Sequence, residues 1–460
     1  MRNAHNDPSE QRALRANAAQ DSRSHYQEIA RIAVPAVLEG LVAVVITTID
    51  TKMVSVLGKG AISAISFTAQ PKLIFFAIFY ALGTALSMFV AQALGRRDRD
   101  EANEYLHTIL KLTIALSIVL GVVLVVLTGP IMALCNRQAD TVGMSETFFR
   151  IIMGFMVFQT VSIVLNAGLR GVGKTKVTLV SNIVMGVVDI VFNYLLIEGH
   201  LGFPRLEVAG DAIATVLGTV AACAVSVFVL VRRTDFLSLK GFFAHRIMRN
   251  RKMLQTIAFK AGNIVFENLF TRVGFLLSSI VVSTLSSDKT AVYSVAMILL
   301  NYSFAFGDGL QSAVVTLCGR SMGANRYDDL RQYLRESLRM GMVTSAALSI
   351  AYVVGSRWFF GLYFQDEASL TMGLYSSAFA SALTFLQILR IISVGALRGM
   401  GEVQAPRRIA TVCVLILNPA ASYLLGIVLD FGVWGIWVAS LITQAAWFTM
   451  CMLATRSHLK

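Results

Sequence analysis

The sequence predicts an all-α integral membrane protein of twelve transmembrane helices in two six-helix bundles related by an internal parallel repeat. Three observations predict it. The chain has 460 residues, 56% hydrophobic and 15% charged, with a mean hydropathy of +0.67, a balance outside the soluble range. Apolar runs of about 20 residues or more, enough to cross a bilayer, recur along its whole length. The chain also matches itself at a fixed offset of 228 positions, the mark of an internal repeat.

Residues 1–25 are polar, with no apolar stretch or small-residue cleavage site, and read as a cytoplasmic tail without a signal peptide. The first lobe, residues 26–231, carries apolar runs at about 29–56, 61–94, 107–127, 147–169, 177–197 and 212–231. A basic linker follows at 232–252, with Arg232, Arg233, Lys240, Arg246, Arg249, Arg251 and Lys252. Beside an anionic leaflet such a cluster would favour lipid headgroups or simply anchor the topology. The second lobe, residues 253–455, carries runs at about 255–285, 290–317, 337–354, 370–397, 409–427 and 433–453, before a short tail at 456–460.

Orientation follows from the basic residues. About 26 Lys and Arg fall in the tails, the linker and the alternate loops on one side, against about six in the opposite loops. Both termini are therefore expected in the cytoplasm, with the protein multi-pass in the plasma membrane. The net charge of +13 then reflects topology and the bilayer, and no nucleic-acid partner is expected.

The repeat is specific. Glu39 falls on Glu267, Leu57 on Leu285, Gly95 on Gly323, and Leu169-Arg170-Gly171-Val172-Gly173 on Leu397-Arg398-Gly399-Met400-Gly401. After a shorter outer loop, the segment at Gly210 matches that at Gly435. Six spans per copy is an even number, so the copies share one orientation about an axis along the membrane normal. Two like bundles leave a cleft between them and can rock about it, which suits a pump.

Enzyme chemistry finds little footing. The five cysteines (Cys135, Cys223, Cys318, Cys413, Cys451) are scattered, and the six histidines (His5, His25, His107, His200, His245, His458) show no metal-ligand spacing. Neither a catalytic constellation nor a cofactor is expected. Gly168 to Thr175 fits the phosphate-loop pattern, but it joins two spans with no nucleotide domain around it, and reads as a basic hairpin turn.

Carboxylates inside the membrane cost about 2.5–3.5 kcal/mol even on the lenient scale, so each needs a partner, a proton or a watery cavity. Five are identified: Glu39 and Asp50 on span 1, Asp189 on span 5, Glu267 on span 7 and Asp308 on span 8. Glu39 and Asp50, eleven positions apart, share one helix face; Asp50 lies close enough to the outer end to be solvated there instead. Asn182, Asp189 and Asn193 form a stripe on span 5 that suits either a cation or an interhelical hydrogen-bond network. Glu267 either couples to an ion or is neutralised by nearby Arg272. Asp308, between Gly307 and Gly309, marks a helix break or an interface. Pro35, four residues before Glu39, offers a hinge. Against these acids stand Lys260, Arg272 and Arg390 as intramembrane bases, which favours cationic cargo.

The chain resembles the multidrug and toxic compound extrusion (MATE) transporters of the multidrug/oligosaccharidyl-lipid/polysaccharide flippase superfamily over nearly its whole length. The residues that carry the resemblance are IAVPAVLEG and IDTKMVSVLG on span 1, AQALGRRDRDEA after span 2, LRGVGKT and VFNYLLI around span 5, and VAGDAIAT opening span 6. It implies an antiporter that exports lipophilic cations in exchange for protons or sodium ions, with Asp50 matching the span 1 carboxylate and Glu267 the NorM-like span 7 acid. Two departures stand out. Asp189 and Asn193 reverse the DinF-like order on span 5, and the NorM-like span 10 acid falls near Gln387.

The functional expectation is secondary active efflux by a monomer through rocking-bundle alternating access. Asp50, Glu39, Asp189, Asn193, Asn182 and Glu267 form the coupling and substrate group, Pro35 is the hinge, and sodium, if used, sits at Glu267 or Asp189. The alternative is a flippase for a lipid-linked precursor, which would need a basic cleft.

Overall fold

The computed structural model describes residues 8–136, 139–232, 236–242, 251–285 and 287–458. Residues 1–7, Arg233, His245, Arg246, Arg249 and Lys460 lie outside the described residues, and with them part of the basic linker and of both tails.

The described residues are helical almost throughout. In the first lobe the helices are α1 (Pro8–Val54), α2 (Lys59–Arg96), α3 (Arg99–Val126), α4 (Thr128–Cys135), α5 (Ala139–Gly154), α6 (Met156–Gly171), α7 (Thr175–Leu196) and α8 (Val208–Arg232). The second lobe holds α9 (Arg251–Ser283), α10 (Ser287–Gly323), α11 (Tyr327–Val354), α12 (Ser356–Gly361), α13 (Glu367–Gly399), α14 (Gln404–Ala410), α15 (Asn418–Tyr423) and α16 (Gly432–His458). Eleven helical segments are long and apolar enough to span, and α5 and α6, bent by 52° at Phe155, complete a twelfth. The bend follows Gly154, a residue that weakens the helix ladder.

Three local features depart from the simplest reading of the sequence. Helix α1 starts at Pro8 rather than at the first apolar residue, since the preceding stretch is rich in Ala, Arg, Glu and Gln, all strong helix formers. The eleventh span, Gln404–Val428, contains π-helical stretches at Thr411–Leu417 and Leu424–Val428 on either side of Asn418-Pro419. Proline has no N–H to give to the i−4 carbonyl, and the ladder widens around it. The phosphate-loop look-alike is a helical hairpin: α6 ends at Gly171, Gly173 takes φ 77°, and α7 starts at Thr175. Its repeat mate Gly401 turns likewise at φ 88°.

Two large apolar cores stand out, the first built mainly from the first lobe but taking in Ile257, Ile264 and Val315 of the second. One runs through Phe79, Leu86, Leu106, Phe149 and Leu165; the other through Leu310, Val314, Leu334, Ile388 and Trp447. Helix α1 joins them, because Ile29, Ile32 and Ala33 of its first half are buried in the second lobe's core. Of the linker, Ser238 is held to α3 by its N–H on Asn103 Oδ1 at 2.7 Å and its carbonyl on His107 Nε2 at 2.9 Å.

The two lobes meet most closely where α2 crosses α10, at the end of the bundle that carries the basic loops. A Cβ on Gly95 would run into the Arg320 carbonyl, and one on Gly323 into the Gln92 carbonyl. Those four positions are two repeat-related pairs, so the pseudo-twofold axis passes through the crossing. Nearby, Glu28 of α1 receives Arg320 Nη2 at 2.6 Å and the Tyr333 hydroxyl.

Candidate functional site

Span 5 delivers its polar stripe to span 1 at two separate levels. Asn193 Nδ2 donates to Asp50 Oδ1 at 2.6 Å, and Asn182 Nδ2 donates to Glu39 Oε1 at 2.7 Å. The helices come this close because α7 presents Gly186 to Ile46 of α1. Asp189, between the two asparagines, lies against α8, with Thr215 near its carboxyl. Gly218 of α8 makes room there, facing Met185 and the Asp189 Cβ. The stripe is therefore split: its ends serve α1 and its middle serves α8.

The outer level gathers more charge than the sequence reading assigned to it. The Asp50 carboxyl lies in hydrogen-bond contact with Asp211 of α8, with Asp189 and the Lys72 ammonium of α2 within electrostatic range. Asp189, Asn193 and Asp211 are all buried, at 6%, 0% and 1% exposure. Apart from a proton shared with Asp50, no donor among the described residues reaches either Asp211 oxygen, and none reaches Asn193 Oδ1. Such a set can hold protons: two carboxyls in hydrogen-bond contact must share one. Among the described residues, no three His, Cys, Asp or Glu side chains converge closely enough to hold a metal ion.

Asp211 and Lys72 were missed in the sequence reading. Asp211 sits inside the VAGDAIAT motif, where a single acid at the opening of a span gives no local sign of a partner. Lys72 follows Pro71 in the middle of a long apolar run, and a lone lysine there signals an acidic partner by itself.

The deeper level is a pair of ion pairs related by the repeat. Glu39 Oε1 accepts Arg170 Nη1 at 2.9 Å, and Glu39 Oε2 accepts Thr178 Oγ1 at 2.7 Å. In the second lobe Glu267 Oε2 lies 3.0 Å from Arg398 Nη2, both buried. The partner of Glu267 is thus Arg398 and not Arg272, which corrects the sequence expectation: a partner on another helix leaves no trace in local spacing. Arg170 and Arg398, counted as loop charges above, sit in the last turns of α6 and α13. With Lys72 they enlarge the intramembrane base count, so the excess of acids that favoured cationic cargo is smaller than the sequence reading made it.

The remaining residues fall around this frame. Pro35 is inside an unbroken α1, between the segment buried in the second lobe and the acids that face the first. Helix α10 also runs unbroken through Asp308; Gly307 and Gly309 let it pack against Ile391 and Val37, so the interface reading holds and the break does not. Gln387 is buried and donates to the Leu300 carbonyl at 3.2 Å. Arg390 is stacked 3.8 Å over the Trp447 ring.

Comparison with known proteins agrees with this architecture. A family model described as MatE matches residues 35–195 and, a second time, residues 264–424. The chain is 24% identical over 391 residues to "Uncharacterized transporter YisQ" of Bacillus subtilis (strain 168), covering 85% of each chain. It is 27% identical over 390 residues to "Probable multidrug resistance protein NorM" of Halalkalibacterium halodurans, covering 82% of this chain and 81% of that one. A solved multidrug resistance MATE family transporter of the MOP superfamily, described in its outward-facing conformation, shares the fold with a TM-score of 0.86 at 16% identity, over 95% of this chain and 96% of that one.

Proposed function

The chain belongs to the MatE family of multidrug efflux transporters, and from that membership we propose that it is a secondary antiporter exporting lipophilic cations in exchange for protons. The observation that carries the reading is the set of Asp50, half-buried, with the buried Asp189 and Asp211 around Lys72 in the first lobe. Three ionised carboxylates against one ammonium at membrane depth would leave two uncompensated charges, which protons relieve at no steric cost. A cationic cargo competes for the same negative charge. Loading it releases the proton, and reprotonation expels it, so one group couples both fluxes.

The crossing of α2 and α10 at Gly95 and Gly323 closes the cleft at the basic end, which the charge distribution assigns to the cytoplasm. The cleft then opens outward, in the state that accepts protons and releases cargo. Transport requires that crossing, with the Glu28–Arg320 pair beside it, to part while the opposite end closes. Pro35 is placed to absorb the change, since the segment before it moves with the second lobe and Glu39 and Asp50 after it contact the first. Glu39 and Glu267, each ion-paired to a neighbouring span, act in this reading as struts of their lobes.

The test is efflux of ethidium from proteoliposomes of the purified protein under separately imposed proton and sodium gradients. Proton-driven efflux that is lost in both Asp50→Asn and Asp211→Asn supports the reading; efflux driven by sodium alone, or unchanged in both variants, overturns it. One observation favours a second reading, a flippase for a lipid-linked precursor: the arginines near Asp308 offer the basic chemistry a pyrophosphate would need. Movement of a labelled lipid-linked precursor in the same vesicles, with no movement of ethidium, would select it.

A further inference from the structure

The eleventh span, Gln404–Val428, leaves one of its own carbonyls open. Its π-helical stretch Thr411–Leu417 ends where the Asn418 N–H donates to the Cys413 carbonyl rather than to that of Val414. The next residue is Pro419, which has no N–H to give. The Val414 carbonyl is thereby left without either of the amides that would serve it in an α- or a π-helix. It faces α9, since a Cβ on Gly274 would run into its oxygen.

Asn418 and Ser422 follow Val414 at steps of four residues, on the same side of the span. Asn418 Nδ2 donates to Ser278 Oγ at 2.8 Å, and Ser278 donates in turn to the Gly274 carbonyl at 3.0 Å. Because the Ser278 proton is committed to Gly274, the amide must present its nitrogen to Ser278 and turn Oδ1 elsewhere. That oxygen and the Ser422 hydroxyl find no partner among the described residues, although Asn418 and Ser422 are only 6% and 0% exposed. Helix α16 brings two more such oxygens. Its antiparallel register on this span is fixed by the contacts of Gly435 with Leu425 and of Met450 with Cys413, which puts Thr443 and Gln444 level with Asn418. Thr443 Oγ1 and Gln444 Oε1 are likewise buried and unpartnered among the described residues.

The repeat identifies the place. Gly274, Ser278 and Val414 stand 228 positions after Ile46, Asp50 and Gly186, so the contact of α9 with this span is the second lobe's copy of the contact of α1 with α7. Where the first lobe has Asp50, Asp189 and Asp211, the second has Ser278, Leu417 and, after its shorter outer loop, Ile436. The oxygens gathered here carry no charge. The Val414 carbonyl, Asn418 Oδ1 and Gln444 Oε1 can only accept. A water brings two hydrogens and leaves part of such a set unserved, whereas carbonyl and amide oxygens without charge replace the hydration shell of an alkali-metal ion.

We propose that the Val414 carbonyl, Asn418 Oδ1 and Ser422 Oγ, completed from α16 by Thr443 and Gln444, form a site for a resident alkali-metal cation, sodium or potassium, which braces the eleventh span against α9 and α16 and takes no part in the exchange of charge. The site is separate from Glu267, which lies eleven residues before Ser278, about 16 Å along α9, and is paired with Arg398. It goes beyond the antiport reading and does not depend on it.

Thermal unfolding of the full chain in phosphatidylcholine nanodiscs, followed by tryptophan fluorescence, is compared in choline, sodium and potassium chloride at equal ionic strength. An ion bound only by the folded state raises the midpoint by an amount that grows with its concentration. Sodium or potassium is expected to raise it by several degrees over choline, the two ions unequally, and radiolabelled sodium, or rubidium in place of potassium, should bind saturably. Ser422→Ala removes a hydroxyl that bonds to nothing else, so it should melt at or above wild type in choline and lose the rise in alkali-metal salt, a combination that a damaged fold would not give. Asn418→Leu should lose the rise from a lower baseline, because Ser278 loses its donor, and Asp50→Asn should keep it. Equal midpoints in all three salts with no saturable binding would identify waters as the occupants and overturn the proposal. A rise that survives both Ser422→Ala and Asn418→Leu would overturn it too, as would one abolished by Asp50→Asn, which puts the ion in the first lobe.

Discussion

Gly95 and Gly323 stand 228 positions apart in the sequence and pack against each other's helices, Gly95 on the Arg320 carbonyl and Gly323 on the Gln92 carbonyl. Two equivalent helices can cross this closely only where neither carries a Cβ, and the proposed alternating access requires the contact to be made and broken in every cycle.

Gly95→Leu is therefore expected to hold the lobes apart at the basic end while leaving each lobe's core untouched. Transport should fall at least tenfold with expression and thermal stability near wild type. A cysteine placed at Gln92, slow to react with a membrane-impermeant maleimide in the parent, should react rapidly when Gly95→Leu is added. Unchanged labelling would show that this crossing is not a gate.

In the first lobe, the shared contact of Asp50 and Asp211 predicts that both carboxyls are needed. Asp211→Asn keeps the shape and supplies its own N–H, so the protein should fold and still bind ethidium, yet lose most proton-driven efflux. The check is efflux against imposed pH gradient beside equilibrium binding in the same preparation. Undiminished proton-driven efflux in Asp211→Asn would show that Asp211 takes no part in coupling.

Lys72 faces the same acids from α2. Replacing it by methionine keeps the length and removes the ammonium, leaving the site one charge more negative. At an effective dielectric of about 20, a charge several ångströms away is worth about 1–2 kcal/mol, so ethidium should bind on the order of tenfold more tightly and be released more slowly. Stopped-flow dye release after a pH jump measures both, and weaker binding would show that Lys72 does not oppose cargo.

How far these residues could be read from sequence divides along one line. The spans, the repeat and the hairpin glycines are local or periodic signals, and Gly95 with Gly323 was already matched through the offset. Span 5's asparagines also met span 1, as a shared helical face implies. What could not be read was partnership between helices. Glu267 was set beside Arg272 because the two share a helix, whereas its ion pair comes from Arg398 on α13. Asp211 and Lys72 gain their meaning only when α2 and α8 are brought against α1. Each is a single charge in an otherwise ordinary run, and its cost in the membrane was the one clue available.

The paired struts give the sharpest separation of structural from coupling roles. Glu267→Gln leaves the buried Arg398 without its counter-charge, and losing one member of a buried pair costs about 3–5 kcal/mol. The variant should melt well below wild type in detergent and lose efflux through instability. The double variant Glu267→Gln, Arg398→Gln removes both charges, and it should recover much of the stability and with it proton-driven efflux. Glu39 and Arg170 should behave in the same way, though Glu39→Gln loses less because Thr178 and Asn182 remain as partners. A stable double variant that binds ethidium but shows no gradient-driven efflux would instead make Glu267 a coupling residue, and the charge exchange would then run through both lobes rather than through Asp50 and Asp211 alone.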